Sequence, residues 1–491
     1  MTTGRSSPTA CAPEAAAGWD PVITGKGIST PSAEKRLTLV SLDSALADIL
    51  LEGPRYREKL TELSGPDLEK EIAANLGIEP DSVSAIIANG LASSSLTDQS
   101  IALFAQASYA LAESKTLEAA KQAEFDNPLT AAAAWLRAGD ACIFKNDSPA
   151  AIAYYRAALT LAIPESSVRL KATLLSHLSR ALHAGAADNP EKPASQVLLQ
   201  QSLEAIQTAA TLIPRETMPE WWALNVLEKA RVLRSLAQGK PDTERHRLLS
   251  EGKAAARLSL EALDGKVSPT IWVRAQQVLG GLCVDQAHKL NPQERMPFLN
   301  EAVDAYRSGL EVLEGGLNPA RRAAMQHNLA VALQRRCFAQ TTADGAISLR
   351  DALKAYQDSM EFYTREDYPL SWAQAQTYLG LVCRMMASAS KVEMKLKMLG
   401  HAETAYRLAL EVLSREENPD GWADAQEGLG NTFEAQGDAN TGEEQIRLWQ
   451  EAEKRYLAAA EKTQPVPAGD ATPSSEQRRL EKLRGKMNPL R

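Results

Sequence analysis

Proline, leucine and small residues recur along the second half of the chain at an interval of 50 residues. Prolines stand at positions 219, 269, 319, 369 and 419, and proline favours the first turn of a helix because its missing N–H needs no partner there. Ten residues after each of the last four prolines comes a leucine followed by glycine or alanine. A small–aromatic–small pattern at Ala302, Tyr306 and Gly309 returns 50, 100 and 150 residues later. The pattern predicts tandem units, each with two helices of about 18 residues.

The repeated residue types indicate how these units pack. Small residues on facing helices let two backbones approach closely, and a tyrosine fills the remaining space. One tryptophan position and one glutamine position recur on the first helix of the units. They are held by Trp222, Trp272, Trp372 and Trp422, and by Gln276, Gln326, Gln376 and Gln426. We expect both positions to be buried between units, with each amide hydrogen-bonded to the adjacent unit.

An earlier stretch has a shorter period and resembles a known family. Trp135, Gly139, Ala151, Tyr155 and Ala158 have the spacing that marks a tetratricopeptide repeat of about 34 residues. The 50-residue units, with the phrase W-A-x-x-Q-x-x-L-G, resemble the long-helix variety of this family. The resemblance implies an all-α fold, a right-handed superhelical solenoid of antiparallel helix pairs.

The chain divides into five predicted segments. Residues 1–32 are rich in Ser, Thr, Pro, Ala and Gly without periodicity, which predicts a disordered tail. Residues 33–99 are predicted to form a small helical region or cap, residues 100–168 repeats of near-usual length, and residues 169–462 about six long repeats. Residues 463–491 hold a linker and a basic segment, which either caps the array or binds an acidic surface.

The resemblance also implies where a partner binds, because the first helices of tetratricopeptide repeats line a groove. Counting from the Gly/Ala position of each unit transfers that face to this sequence. The predicted partner-binding residues are Arg231, Arg234, Arg274, Gln277, His327, Arg335, Gln374 and Arg384. The middle of the face is basic, whereas its last unit carries Asp424, Glu427 and Glu434. We expect a protein or peptide partner with acidic residues along the middle units; a solvated face with scattered charges is the alternative.

Composition and charge argue against several other classes. The net charge of −8, with no long run of Lys and Arg before the C-terminal segment, disfavours nucleic acid as a partner. No apolar run reaches the roughly 18 residues that span a bilayer, so we expect no membrane insertion, and the amino terminus lacks the apolar core of a signal peptide. The five cysteines are widely spaced without a CxxC pair, as in a reduced cytoplasmic protein.

No motif predicts catalysis, a cofactor or a metal site. The six histidines form no HExxH motif, and no GxSxG elbow is present. The glycines near Lys26 do not have the spacing of a phosphate loop, and Gly27 stands where that loop needs Ser or Thr. We therefore predict a non-enzymatic scaffold or adaptor, with a ligand- or peptide-responsive sensor as the alternative. The sequence makes no prediction of the oligomeric state.

Overall fold

All regular elements in the described part of the chain are helices, which confirms the predicted all-α class. The computed structural model describes residues 80–92, 99, 102–103, 108–123, 128–161, 168–187, 189–263, 268–315, 318–338, 340, 342–460 and 475–487. The predicted tail (1–32), the first part of the predicted helical region (33–79) and the predicted linker (463–474) lie outside the described residues. The segment boundaries and the right-handed sense of the superhelix stay predictions.

The helices belong to two compact units, divided between Gln286 and Ala287. In the first unit the described helices are α1 (Pro80–Leu91), α2 (Tyr109–Ala123), α3 (Pro128–Phe144), α4 (Ser148–Leu161), α5 (Val168–Gly185), α6 (Pro193–Leu212), α7 (Pro219–Leu236), α8 (Asp242–Glu261) and α9 (Pro269–Gln286). From α2 onward each helix packs against the next along the chain. The first helices of successive pairs, α3, α5, α7 and α9, also contact one another. This is the packing of a solenoid of helix pairs.

The second unit repeats this arrangement. Its described helices are α10 (Pro292–Val312), α11 (Pro319–Cys337), α12 (Thr342–Met360), α13 (Pro369–Ser388), α14 (Val392–Leu410), α15 (Pro419–Gly437), α16 (Gly442–Ala460) and α17 (Ser475–Met487). Each packs against its successor, and α13 also contacts α15. Among all the helices in the described ranges, none is long and apolar enough to cross a membrane.

Each proline of the 50-residue series begins a helix, as predicted. These prolines are the first residues of α7, α9, α11, α13 and α15. The helices α7 to α16 are 18 to 21 residues long. Two helices gain an asparagine cap, because the side chains of Asn291 and Asn318 accept hydrogen bonds from the backbone N–H groups of Glu294 and Arg321. Proline therefore marks the start of the first helix in these repeats, whereas the two asparagine caps belong to one second helix, α10, and one first helix, α11.

The recurring tyrosine of the second helix is buried, as its spacing predicts. Tyr155, Tyr356, Tyr406 and Tyr456 each expose 2% of their surface or less. A Cβ on Gly139 would lie 2.4 Å from the Tyr155 ring, so only glycine fits at this position. The small residues of the first helix thus make room for the tyrosine of the second helix.

The tryptophan and glutamine positions are also packed inside the array. Gln276, Gln326, Gln376 and Gln426 are buried, and Trp372 and Trp422 are partly buried against the core of the last repeats. Gln426 accepts a hydrogen bond from Arg455, which lies on the second helix of the same repeat and not on the adjacent repeat as expected. The Arg365 guanidinium lies over the Trp372 ring at 5.5 Å, a cation–π contact that the sequence pattern did not reveal.

Candidate partner-binding face

The predicted partner-binding residues lie on the first helices of the repeats, on a side that we call the first-helix face. In the first unit this face is already used for contacts within the chain. Arg231 on α7 is buried, and its Nη1 donates to Glu228 Oε2 at 2.7 Å. Glu228 in turn contacts Nδ1 of His183, which lies on the neighbouring first helix α5, at 2.8 Å. One predicted binding residue therefore stabilises the contact between two repeats.

Glu228 is the centre of this cluster. Burial acts to raise the pKa of its carboxyl, but the charge of Arg231 and the hydrogen bond with His183 outweigh burial and hold the pKa well below its usual range. The Arg180 charge acts in the same direction. The other ring nitrogen of His183 lies 2.9 Å from Ser235 Oγ on α7. Glu228 is thus a buried carboxylate that is fully surrounded by polar partners and stays ionised.

We expect this carboxylate to give the chain a measurable acid sensitivity. The pKa of Glu228 is lower in the folded chain than in the unfolded chain, so its ionised carboxylate stabilises the fold. This contribution is present above the unfolded pKa of about 4.3 and is lost as the pH falls toward the folded pKa. The difference in free energy of unfolding between the wild-type chain and Glu228→Gln should therefore shrink from pH 5 to pH 3, that is, from about 0.7 unit above to about 1.3 units below that unfolded pKa. Urea unfolding at each pH measures it; a difference that stays constant would contradict the assignment.

Arg234 makes the second contact of this kind. Its Nε donates to Asp285 Oδ2 at 2.7 Å, joining α7 to the next first helix, α9. Gly281 leaves room for the guanidinium, since a Cβ there would lie 2.7 Å from Arg234 Nη1. Arg274, also on α9, is buried, and Gln277 is half-buried. The basic groups of the first unit are therefore packed into the stack rather than displayed to solvent.

A further polar cluster in the first unit lies on residues that the sequence analysis did not select. Asp140 Oδ1 on α3 accepts the Tyr155 hydroxyl at 2.6 Å and contacts His177 Nδ1 on α5 at 2.8 Å. Burial, followed by the charge of Asp140 and its hydrogen bond, raises the pKa of Tyr155 well above its ordinary value. The cluster therefore links α3, α4 and α5.

In the second unit the predicted binding positions include an aromatic cluster. His327 on α11 meets the rings of Tyr356 and Tyr378 edge-on, with centroids 5.4 and 5.6 Å apart. The two tyrosine rings stack at 5.8 Å. His327 is buried, whereas Tyr378 and Gln374 on α13 are half-buried. The aromatic residues support this part of the face, and Tyr378 keeps part of its ring at the surface.

Arg335 and Arg384 differ from the basic residues of the first unit. Both are half-buried, and within the residues that the structure describes neither forms an ion pair with a carboxylate. Arg384 is hydrogen-bonded to Tyr406, and Arg335 lies near enough to Tyr356 to act on it through its charge. Helices α11 and α13 thus carry two cations that have no carboxylate partner among the described residues.

The acidic end of the face is covered by the C-terminal helix. Arg479 on α17 donates to Glu427, and Lys486 Nζ donates to Glu434 Oε1 at 2.8 Å. Leu480, which follows Arg479, is buried. The described part of the basic segment therefore covers the last repeat, and these contacts fit both roles left open by the sequence, a cap and a ligand of an acidic surface.

The contacts across the face have a signal in the sequence. Arg234 and Asp285 are 51 residues apart, and both Glu427–Arg479 and Glu434–Lys486 are 52 apart. A search of the sequence for opposite charges separated by one repeat length of 50 residues plus one or two residues would have identified these pairs. Counting positions within single repeats could not identify them.

A groove of about 490 Å³ lies between α14, α15 and α16. Its walls carry Arg407, Arg447 and Arg455, each paired with a glutamate on its own helix. The three arginines and their three glutamate partners therefore balance in charge. Among the described residues no group of three or more His, Cys, Asp or Glu is placed to hold a metal ion.

The chain matches no family model and no curated protein. Similar solved structures include BtubC (BKLC) from P. vanneervenii, with 15% identity over 56% of this chain and 97% of that chain and a TM-score of 0.35. A circular tandem repeat protein with novel repeat topology has 12% identity over 92% and 100% of the two chains and a TM-score of 0.28. The structure of Naa15/Naa10 bound to HypK-THB has 12% identity over 86% of this chain and 75% of that chain, with a TM-score of 0.15. At these TM-scores the likenesses carry no argument, and the fold rests on the helix packing described above.

Proposed function

We propose that this chain is a non-enzymatic interaction scaffold, and that an acidic segment of a partner protein binds across α11 and α13. The observation that carries the proposal is the contrast between the predicted binding arginines of the first unit and those of the second. Arg231 and Arg234 are paired with carboxylates of their own chain. Arg335 and Arg384 are not so paired among the described residues, so they remain available to a carboxylate from outside.

The surroundings of the two arginines suit a peptide rather than a small anion. Gln374 and the exposed part of Tyr378 lie on α13, the same helix as Arg384. Amide and hydroxyl groups can bond to the peptide backbone, while the arginines fix the position of acidic side chains. Charge pairing of this kind contributes orientation and association rate more than affinity. The partner segment should therefore be acidic and should also supply apolar contacts.

Selection from a display library of random peptides tests this proposal. We expect peptides selected on the wild-type chain to be enriched in Asp and Glu, and binding to the double variant Arg335→Glu/Arg384→Glu to fall by about 100-fold, because each reversal replaces attraction by repulsion. The matched control is Arg350→Glu/Lys397→Glu, which makes the same charge change at exposed positions on α12 and α14. The control should bind as the wild-type chain does.

Retained binding by the double variant, or equal loss in the control, would contradict the proposal. Circular dichroism of each variant checks that the helices are intact.

We also propose that the chain belongs to the tetratricopeptide repeat family, in its long 50-residue variety, because it repeats the W-A-x-x-Q-x-x-L-G phrase. The widely spaced cysteines support a location in the cytoplasm. The sensor alternative stays a prediction.

A further inference from the structure

We infer that the surface under α17 is a second binding site, whose external ligand is a basic amphipathic helix of a partner protein, and that α17 competes for this site. The surface is formed by α15 and α16 and differs from the Arg335 and Arg384 site in place and in sign of charge. The inference therefore does not depend on the proposed function.

The polar contacts of α17 define what the site recognises. Lys486 Nζ donates to Glu434 and to both carboxylate oxygens of Asp438, at 2.8 to 2.9 Å. Arg484 Nε donates to Glu453 Oε1 at 2.6 Å. Together with the Arg479–Glu427 pair, these contacts place carboxylates of α15 and α16 opposite cations of α17. The site is selective for a positively charged helix.

The apolar contacts define the pattern of that helix. Leu480, Leu483 and Met487 expose 6, 0 and 2% of their surface and belong to the core cluster that contains Phe433 and Trp449. Their spacing of three and four residues makes one helical stripe. Lys486 Nζ also lies 5.8 Å from the centroid of the Trp449 ring. A ligand needs this apolar stripe with basic residues on both sides of it.

The position of α17 shows that it is an incomplete repeat. It ends at Met487, 50 residues after the last residue of α15, Gly437, so it takes the place of the next first helix. However, it has 13 residues where α15 has 19. It is also joined to α16 by 14 residues, whereas 8 residues join α14 to α15. A short helix on a long connection binds as a tethered ligand, with an effective concentration that a free competitor can exceed.

The probe for this site is a fluorescein-labelled peptide with the sequence of residues 475–487, added to the full chain and followed by fluorescence anisotropy. We expect the variant Arg479→Glu/Lys486→Glu, whose own α17 is weakened, to bind the peptide at least about tenfold more tightly than the wild-type chain. Lys482→Glu is the matched control, since Lys482 is exposed on α17 and makes no ion pair with another described residue. It should bind as the wild-type chain does.

A charge-swapped chain completes the test. The variant E427K/E434K/D438N/R479E/K486E restores the pairs with Glu427 and Glu434 with reversed sign and removes the carboxylate of Asp438, which would repel Glu at position 486. Its α17 should therefore stay bound, and the peptide should be rejected. Equal affinity for all chains, or no binding to the double variant, would overturn the inference. The inference would also fail if α15 and α16 of the double variant lost hydrogen-exchange protection and saturating peptide did not restore it. In that case α17 would be a fixed structural cap.

Discussion

Replacing Glu228 by alanine should destabilise the chain by about 3–5 kcal/mol, because it removes the carboxylate that pairs with the buried Arg231 guanidinium. Glu228 is 3% exposed, so water cannot readily take over the lost contact. His183 loses its carboxylate partner at the same time. Urea unfolding followed by circular dichroism measures the effect. Glu244→Ala is the matched control, since Glu244 forms a comparable pair with Arg247 at the surface, and it should leave the midpoint unchanged.

A second variant separates lost charge balance from lost packing. The double substitution Glu228→Leu/Arg231→Met replaces the pair by apolar side chains of similar size. Buried ion pairs replaced in this way often keep or gain stability. We therefore expect most of the loss in Glu228→Ala to be recovered. If the double variant is as unstable as Glu228→Ala, the ion pair is not the source of the effect.

Gly428→Ala should destabilise the last repeats by about 1–3 kcal/mol through overpacking. A Cβ at position 428 would lie 2.3 Å from the Tyr406 ring, and that ring is 2% exposed and enclosed by the core. Gly400→Ala is the matched control, because Gly400 also lies within a helix but has nothing within 4 Å of its added Cβ. It should stabilise the chain by up to about 1 kcal/mol, through helix propensity alone.

Hydrogen exchange resolves where each of these two substitutions acts. Gly428→Ala should lower the protection of α15 and of α14, which carries Tyr406, because the two helices can no longer approach as closely. Protection in α7 should not change. Equal effects of Gly428→Ala and Gly400→Ala would show that the packing of Tyr406 against glycine does not contribute to stability.

The architecture was predictable because it depends on residues that recur at one period. Pro219, Pro319 and the other prolines of the series mark helix starts directly, and the fit of Tyr155 against Gly139 follows from their sizes and spacing. These features are local, or repeat from unit to unit, so one sequence contains enough copies to reveal them.

The sequence did not predict which arginines of the candidate site are paired with carboxylates of the same chain. Counting placed Arg234 and Arg384 on the same face, yet Arg234 is held by Asp285 whereas Arg384 has no carboxylate partner in the described part of the chain. Counting positions within one repeat cannot separate the two arginines, because the partner of Arg234 lies in the next repeat, one repeat length plus one residue away. The cap was ambiguous for a similar reason, since the charges of α17 suit both a free peptide and the acidic surface that it covers.

Hydrogen exchange of the full chain, with and without a peptide selected on it, shows whether α11 and α13 form the partner-binding surface. We expect new protection in α11 and α13 around Arg335 and Arg384, and none around Arg231 on α7. Protection centred on α5 and α7, or confined to second helices, would rule out the proposed binding site.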